Sequence, residues 1–142
     1  MKCLTVRNPW AALEIMNVKT IENRTWRTSY RGPLLIHSAA KPEDVVYDPP
    51  IKMSAEQSSL LAHAEHGHII GVVDLVEIYN MEDYEQEISL TEKVGEEAFN
   101  AFAGDQFCWL FQNGRFLKSP IPYKGRLNLY DVPDELVKDV LP

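Results

Sequence analysis

The chain has 142 residues, 45% hydrophobic and 25% charged, with a formal net charge of -7. Such a composition fits one globular domain with a closed core and excludes a wholly disordered chain. No apolar run approaches the roughly 18–20 residues of a membrane span, and Arg7 and Asn8 interrupt the N-terminal stretch where a signal-peptide core would run on, so a cytoplasmic protein is expected.

In chain order, CLTVR (3–7) reads as a short strand. Asn8 then serves as a helix N-cap and Pro9 as a first helical residue, which predicts a short helix over 9–17 with Trp10 and Leu13 facing inward. TIENRTWRT (20–28) is β-branched and aromatic and reads as an extended segment. Tyr30-Arg31-Gly32-Pro33 is a turn signal, and LLIHSA (34–39) is a strand buried on both faces. Residues 41–53, with Pro42, Pro49 and Pro50, read as a loop. SAEQSSLLAHAEHG (54–67) reads as a helix with Ser54 and Gln57 in capping-box positions and Gly67 as its stop. HIIGVVDLVEIYN (68–80) is the strongest strand pattern in the sequence. The acidic 81–97 stretch reads as a loop, followed by a helix through Phe99–Phe102. DQFCWLFQNGRFLKSPI reads as two strands around a turn at Asn113-Gly114, KGRLNLYDV as a last strand, and PDELVKDVL as a C-terminal helix. Strands dominate and do not alternate with long helices. The pattern suits a small β-barrel or strongly curved sheet decorated by helices, in a single domain over 1–142.

The charges are segregated. Residues 1–41 hold seven cations and two acids, a net of +5, which leaves seven cations and nineteen acids, a net of -12, for 42–142. Within that acidic part, residues 113–130 carry Arg115, Lys118, Lys124 and Arg126 and no acid. A chain built this way presents a positive face to a polyanion while the remainder keeps it in solution. Charge alone fits a solvated surface equally well.

Side-chain alternation refines the candidates. In an extended 20–28, Glu22, Arg24 and Trp26 share one side. In 69–78, Asp74 is the sole ionisable group on the face of Ile70, Val72, Val76 and Ile78; a carboxylate there needs a partner unless the opposite parity, Gly71, Val73 and Leu75, is the inner one. His37 sits in a core-like strand, and His63, His66 and His68 lack the carboxylate or thiol that would complete a metal site, so no metal and no cofactor are expected. Cys3 and Cys108 lie in apolar contexts and read as buried free thiols.

The blocks LTVRNPWAALEIMNVKTIENRTWRTSYRGPLLIHSAAK, IIGVVDLVEI, FCWLF and PIPYKGRLNLY together resemble the ASCH domain (activating-signal-cointegrator homology), a branch of the PUA-like superfamily, over about residues 4–130. The first block carries most of the specificity: Arg before Pro-Trp, then Lys, then Glu and Arg, then Arg-Gly-Pro and a strand with His. The resemblance implies an α+β fold, a PUA-like six-stranded mixed β-barrel with flanking short helices. It also implies a cleft lined by Arg7, Trp10, Lys19, Glu22, Arg24, His37 and Asp74, with Lys124 near its rim. Trp26 joins this set as a face for stacking.

Three functions stay open. The family suggests binding of single-stranded RNA or a modified nucleoside or nucleotide, in which cations neutralise phosphates and indoles stack on unpaired bases. A small hydrolase is the second reading, an amidohydrolase on acylated cytidine or a ribonuclease, with Lys19, Glu22 and Asp74 as its catalytic groups. The chain departs from that pattern, because Glu22 stands where the hydrolases carry Thr and Asp74 where they carry Glu. The third reading is a protein-interaction module that uses the acidic 81–97 segment.

Overall fold

The computed structural model describes residues 1–44 and 51–142, so the central part of the loop expected over 41–53 lies outside the described residues. The elements run β1 (Lys2–Val6), α1 (Trp10–Ile15), β2 (Ile21–Arg24), β3 (Gly32–Ser38), α2 (Ala55–Ala62), β4 (His68–Asn80), α3 (Tyr84–Val94), α4 (Glu96–Phe102), β5 (Phe107–Pro122), β6 (Tyr130–Asp131) and α5 (Asp134–Val137). All these strands join one mixed sheet in the order β2-β5-β4-β3-β1-β6. β1 runs parallel to β3, and the other pairings are antiparallel.

The sheet curls without closing, which corrects the expected barrel. Its ladder ends at β2 and at β6, and these two strands are too short to complete a ring: β2 pairs over four residues and β6 over two. Between β2 and β1 the connection is a side chain. The Arg24 guanidinium donates through Nη2 to the Thr5 carbonyl at 2.9 Å.

Alternation along the central strands feeds two cores. Leu4, Val6, Leu34, Ile36, Val73 and Leu75 pack with Trp109, Phe111 and Ile15 of α1, while Cys3, Leu35, Ile69 and Val72 pack with Val132 and Val137 of α5. β3 is thus buried on both faces, as its apolar run predicts. Cys3 and Cys108 are buried free thiols. A third cluster, Ile21, Leu90, Phe102 and Cys108, seats α3 and α4 against β2.

Several elements differ from expectation for identifiable reasons. The 81–97 stretch holds a helix rather than a loop. Asp83 caps α3 by accepting from the Glu85 and Gln86 amides, Gly95 ends it, and its first turn carries Glu85 and Glu87 where the helix dipole favours acids. Asn113-Gly114 makes no hairpin. It lies inside β5 as a bulge, where the stretch between Gln112 and Arg115 opposes Val73 alone. Asn113 takes φ 54°, and Gly114 lets the end of α1 approach, since a Cβ there would stand 2.6 Å from the Glu14 carbonyl oxygen. Asn17, at φ 61°, fixes that contact by donating to the Gly114 carbonyl and accepting from its amide. The last strand shrinks to Tyr130–Asp131, and α5 to a single turn. α1 starts one residue later than predicted; Asn8 is buried, and its Oδ1 accepts from the Ala12 amide at 3.2 Å. The Ser54–Gln57 capping box of α2 forms with both reciprocal bonds.

Candidate functional site

A cleft of about 1050 Å³ opens at the unclosed side of the sheet. β1 contributes Thr5, with Arg7 just beyond it, and the start of α1 contributes Trp10. β2 and the residues after it contribute Glu22, Asn23, Arg24 and Trp26; α4 contributes Ala101 and Phe102; the segment before β6 contributes Lys124, Gly125, Arg126, Leu127 and Asn128. Arg7, Trp10, Lys19, Glu22, Arg24, Trp26, His37 and Lys124 all line it, so eight sequence candidates converge. Glu22, Arg24 and Trp26 do so together, as their shared parity predicts.

Asp74 does not. Alternation in β4 sets it with Val72, on the face opposite Val73 and Leu75, and it bonds to Arg115 Nη1 and Asn113 Nδ2, each at 3.1 Å. The expected cleft role of Asp74 is therefore corrected. The inner parity is the other one, and the carboxylate has its partners on β5.

The floor of the cleft is an ion cluster. Lys19 Nζ donates to Glu14 Oε2 and to Glu22 Oε1, each at 3.1 Å, and to the Ile21 carbonyl. Arg24 donates through Nε to Glu22 Oε2 at 2.9 Å, and its Nη2 lies 2.7 Å from the same oxygen. Glu14 is wholly enclosed, and its Oε1 faces no donor among the described residues. Burial, followed by the charge of Glu22, pushes the Glu14 carboxyl well above the usual carboxylate range despite Lys19. Burial alone would raise Glu22 as well, but Lys19, a hydrogen bond with Glu14 and Arg24 outweigh it and bring Glu22 down to about 2. The pair therefore divides its roles. Glu14 is held towards its protonated form and Glu22 towards its ionised form.

Burial would lower the Lys19 ammonium, but the two carboxylates overrule it and its pKa rises. All three of its hydrogens have acceptors inside the fold. It therefore lacks the lone pair that a nucleophile or base requires at neutral pH. The Trp10 ring lies 5.9 Å from Nζ by its centroid. Trp26 packs edge-on against Trp109, with centroids 4.8 Å apart at 83°, and accepts the Trp109 indole N–H at its carbonyl.

His37 is buried and acts as a fastener. Its Nε2 lies 2.6 Å from the Tyr123 carbonyl, which can only accept, so Nε2 carries the proton. Burial keeps the imidazole below its ordinary pKa and hence neutral near pH 7. Nδ1 then accepts from Thr5 Oγ1 at 3.2 Å, and Thr5 in turn accepts from the Tyr130 hydroxyl at 2.8 Å.

The remaining cations of 19–41 go elsewhere. Arg27 lies over the Phe107 ring at 5.5 Å, and Arg31 pairs with Glu77 at 2.5 Å. Sequence reasoning missed Glu14, whose signal was a single acid within the apolar run AALEIM. It also missed Asn23, which joins β2 to α4 by bonding the Phe102 carbonyl and the Gly104 amide. Arg126 was visible only as part of the acid-free 113–130 stretch. No helix among the described residues is long and apolar enough to cross a membrane.

An open, curled mixed sheet with flanking helices and a polar cleft at its unclosed side defines a PUA-like α+β domain. The chain belongs to the ASCH domain family, whose sequence pattern matches residues 4–113. Activating signal cointegrator 1 of Homo sapiens is 24% identical over 144 residues, covering 94% of this chain and 22% of that protein. The Mus musculus protein is 22% identical with the same coverage. The chain thus spans 22% of the length of these relatives. Among solved structures, ASCH from Zymomonas mobilis aligns with a TM-score of 0.52 at 14% identity, covering 96% of this chain and 90% of that one. A mutant of the same protein aligns at 0.54, also at 14% identity, covering 97% and 94%. At that identity the likeness is one of fold.

Proposed function

We propose that the cleft binds single-stranded RNA or a modified nucleoside or nucleotide. One observation carries this reading: among the described residues, five cations, Arg7, Lys19, Arg24, Lys124 and Arg126, and two indoles, Trp10 and Trp26, share one opening with two acids, Glu22 and Glu43. Its volume of about 1050 Å³ suits a ligand of nucleotide size or larger. Cations attract the phosphate, an indole face contributes about 1–3 kcal/mol per stacked base, and the ionised Glu22 accepts from an exocyclic amine. The relatives' name, activating signal cointegrator 1, belongs to a much longer protein and adds no ligand to this reading.

Binding is favoured over hydrolysis because of Lys19. An ammonium whose three hydrogens are all accepted within the fold does not serve as the base or nucleophile of an amidohydrolase, and Asp74 stands outside the cleft. The test is a titration of tryptophan fluorescence with short single-stranded RNAs and with modified nucleosides, each mixture then analysed for products by mass spectrometry. Saturable change at low salt, weakened across sequences by Arg24→Ala and accompanied by intact ligand, is the expected result. No affinity for any RNA or nucleoside at low salt overturns the reading, and cleaved product would favour the hydrolase.

A further inference from the structure

The segment from Lys124 to Leu129 bridges two anchored tyrosines. Before it, the Tyr123 carbonyl holds His37 Nε2 and the Tyr123 amide donates to the Gly67 carbonyl at 3.1 Å. After it, Tyr130 enters β6 and donates its hydroxyl to Thr5, which is itself bonded to His37. The two tyrosine rings lie parallel with centroids 6.5 Å apart. Between them Gly125 rests on the same pair: a Cβ there would stand 2.9 Å from both His37 Cε1 and Thr5 Oγ1. Both ends and one interior point are therefore held by a single buried histidine–threonine unit.

What this strap carries is exposed at the cleft mouth. Lys124 and Arg126 line the cleft and form no ion pair with any described residue, and Leu127 lines it while remaining 90% exposed. The two deeper cations, Lys19 and Arg24, are largely committed to the fold. Lys19 has no hydrogen left, and Arg24 directs Nε and Nη2 at Glu22 and Thr5, which leaves Nη1. Arg7 is exposed like the strap cations but faces an acid, Glu43, at 3.4 Å. Among the described lining residues, the exposed cations without an ion pair thus lie on the strap, whereas indoles and a carboxylate lie further in.

We propose that Lys124 and Arg126 form a phosphate subsite at the cleft mouth, with Leu127 as an apolar ledge against the adjoining sugar. This rests on the nucleotide reading of the cleft and sharpens it. The ligand carries phosphate, enters base first, and leaves its phosphate at the strap, so a bare nucleoside is a poor substitute. Lys19 supplies field and rigidity without touching the ligand.

The test compares the wild-type chain with Lys124→Ala/Arg126→Ala and Leu127→Ser. The probes are a short single-stranded oligoribonucleotide, the four ribonucleoside 5′-monophosphates and the four nucleosides, at about 50 mM and about 200 mM salt. All three changed residues are exposed, and unchanged circular dichroism and melting confirm that the variants fold. Two phosphate contacts to a single strand account for roughly 1.4 of the log–log salt slope, so the advantage of wild type over the double variant is expected to shrink about sevenfold across that range. Leu127→Ser is expected to weaken binding by a similar factor at both salts, and monophosphates to compete better than nucleosides. If wild type binds the oligonucleotide but the double variant keeps its slope, or nucleosides compete as well as monophosphates, the subsite is refuted while the cleft reading stands. If wild type binds none of the probes, both fall.

Discussion

A lysine ammonium has three hydrogens, and in this protein all three of Lys19's end on acceptors within the fold. Lys19 faces both Glu22 and Glu14, and burial holds the Glu14 carboxyl towards its protonated form. This division makes opposite predictions for the two acids. Glu22→Gln leaves Lys19 and Arg24 buried without their shared counter-charge, and a loss of about 3–5 kcal/mol is expected in chemical denaturation. Glu14→Gln keeps a neutral donor beside Glu22 and an acceptor for Lys19. Because the native pKa of Glu14 is raised, wild type loses stability as pH climbs from about 4.5 towards that pKa, for the unfolded chain releases a proton that the folded chain retains. Gln does not titrate. Glu14→Gln should therefore match or exceed wild type at pH 7, and its relative gain should vanish at pH 4. Melting curves at the two pH values check this, and a large loss at pH 7 would show that Glu14 acts as an anion.

At the scale of elements, what was legible in the sequence is what depends on neighbours in the chain. β4 was bounded correctly by its β-branched run alone, and the α2 capping box by a local side-chain exchange. Failures arose where a distant contact decided. Asn113-Gly114 favours positive φ wherever it occurs, and only the arrival of α1 converts that preference from a hairpin into a bulge. The parity of Asp74 was undecidable from a strand apolar on both faces. KGRLNLYDV has strand-like residues, yet the strap over the cleft takes most of it out of the sheet. In a hairpin tip Gly114 would face solvent and tolerate a side chain. Here Gly114→Val forces a Cβ into the Glu14 and Ile15 carbonyls, and a loss of roughly 1–3 kcal/mol is expected in denaturant titration. A neutral substitution would contradict the close seating of α1 on β5, and with it the positioning of Glu14.

For the whole molecule, the excess of acids and the basic cleft have separate places. Most acids on α3 and its flanks remain exposed, while the cleft draws its cations from the residue after β1, from β2 and the residues before it, and from the strap. The family resemblance in the sequence located most of the cleft because its residues fall in a few contiguous blocks, whereas the open sheet followed only from strand lengths visible in three dimensions. Acid should dismantle this arrangement from its floor. Glu22, lowered to about 2, contributes stability that is complete above about 4.5 and lost as pH falls through about 2. Neutral His37, lowered from 6.5 by burial, adds stability that is complete above 6.5 and declines as pH falls through its native pKa. Equilibrium denaturation should show stability falling below about pH 4.5, and Glu22→Gln should flatten that limb. An unchanged limb in that variant would mean that Glu22 is not the ionised member of the pair.

Arg7, Trp10, Arg24, Trp26, Lys124 and Arg126 ring one opening, which we propose receives a single-stranded nucleotide ligand. The most direct measurement is an NMR titration of the isotope-labelled chain with a short single-stranded RNA at low salt. The account predicts saturable shifts confined to residues 4–10, 19–26, 37 and 123–130, including both cleft indole N–H signals. Shifts that instead map to α3 or the outer face of β4, or a spectrum left unchanged at excess RNA, would contradict it.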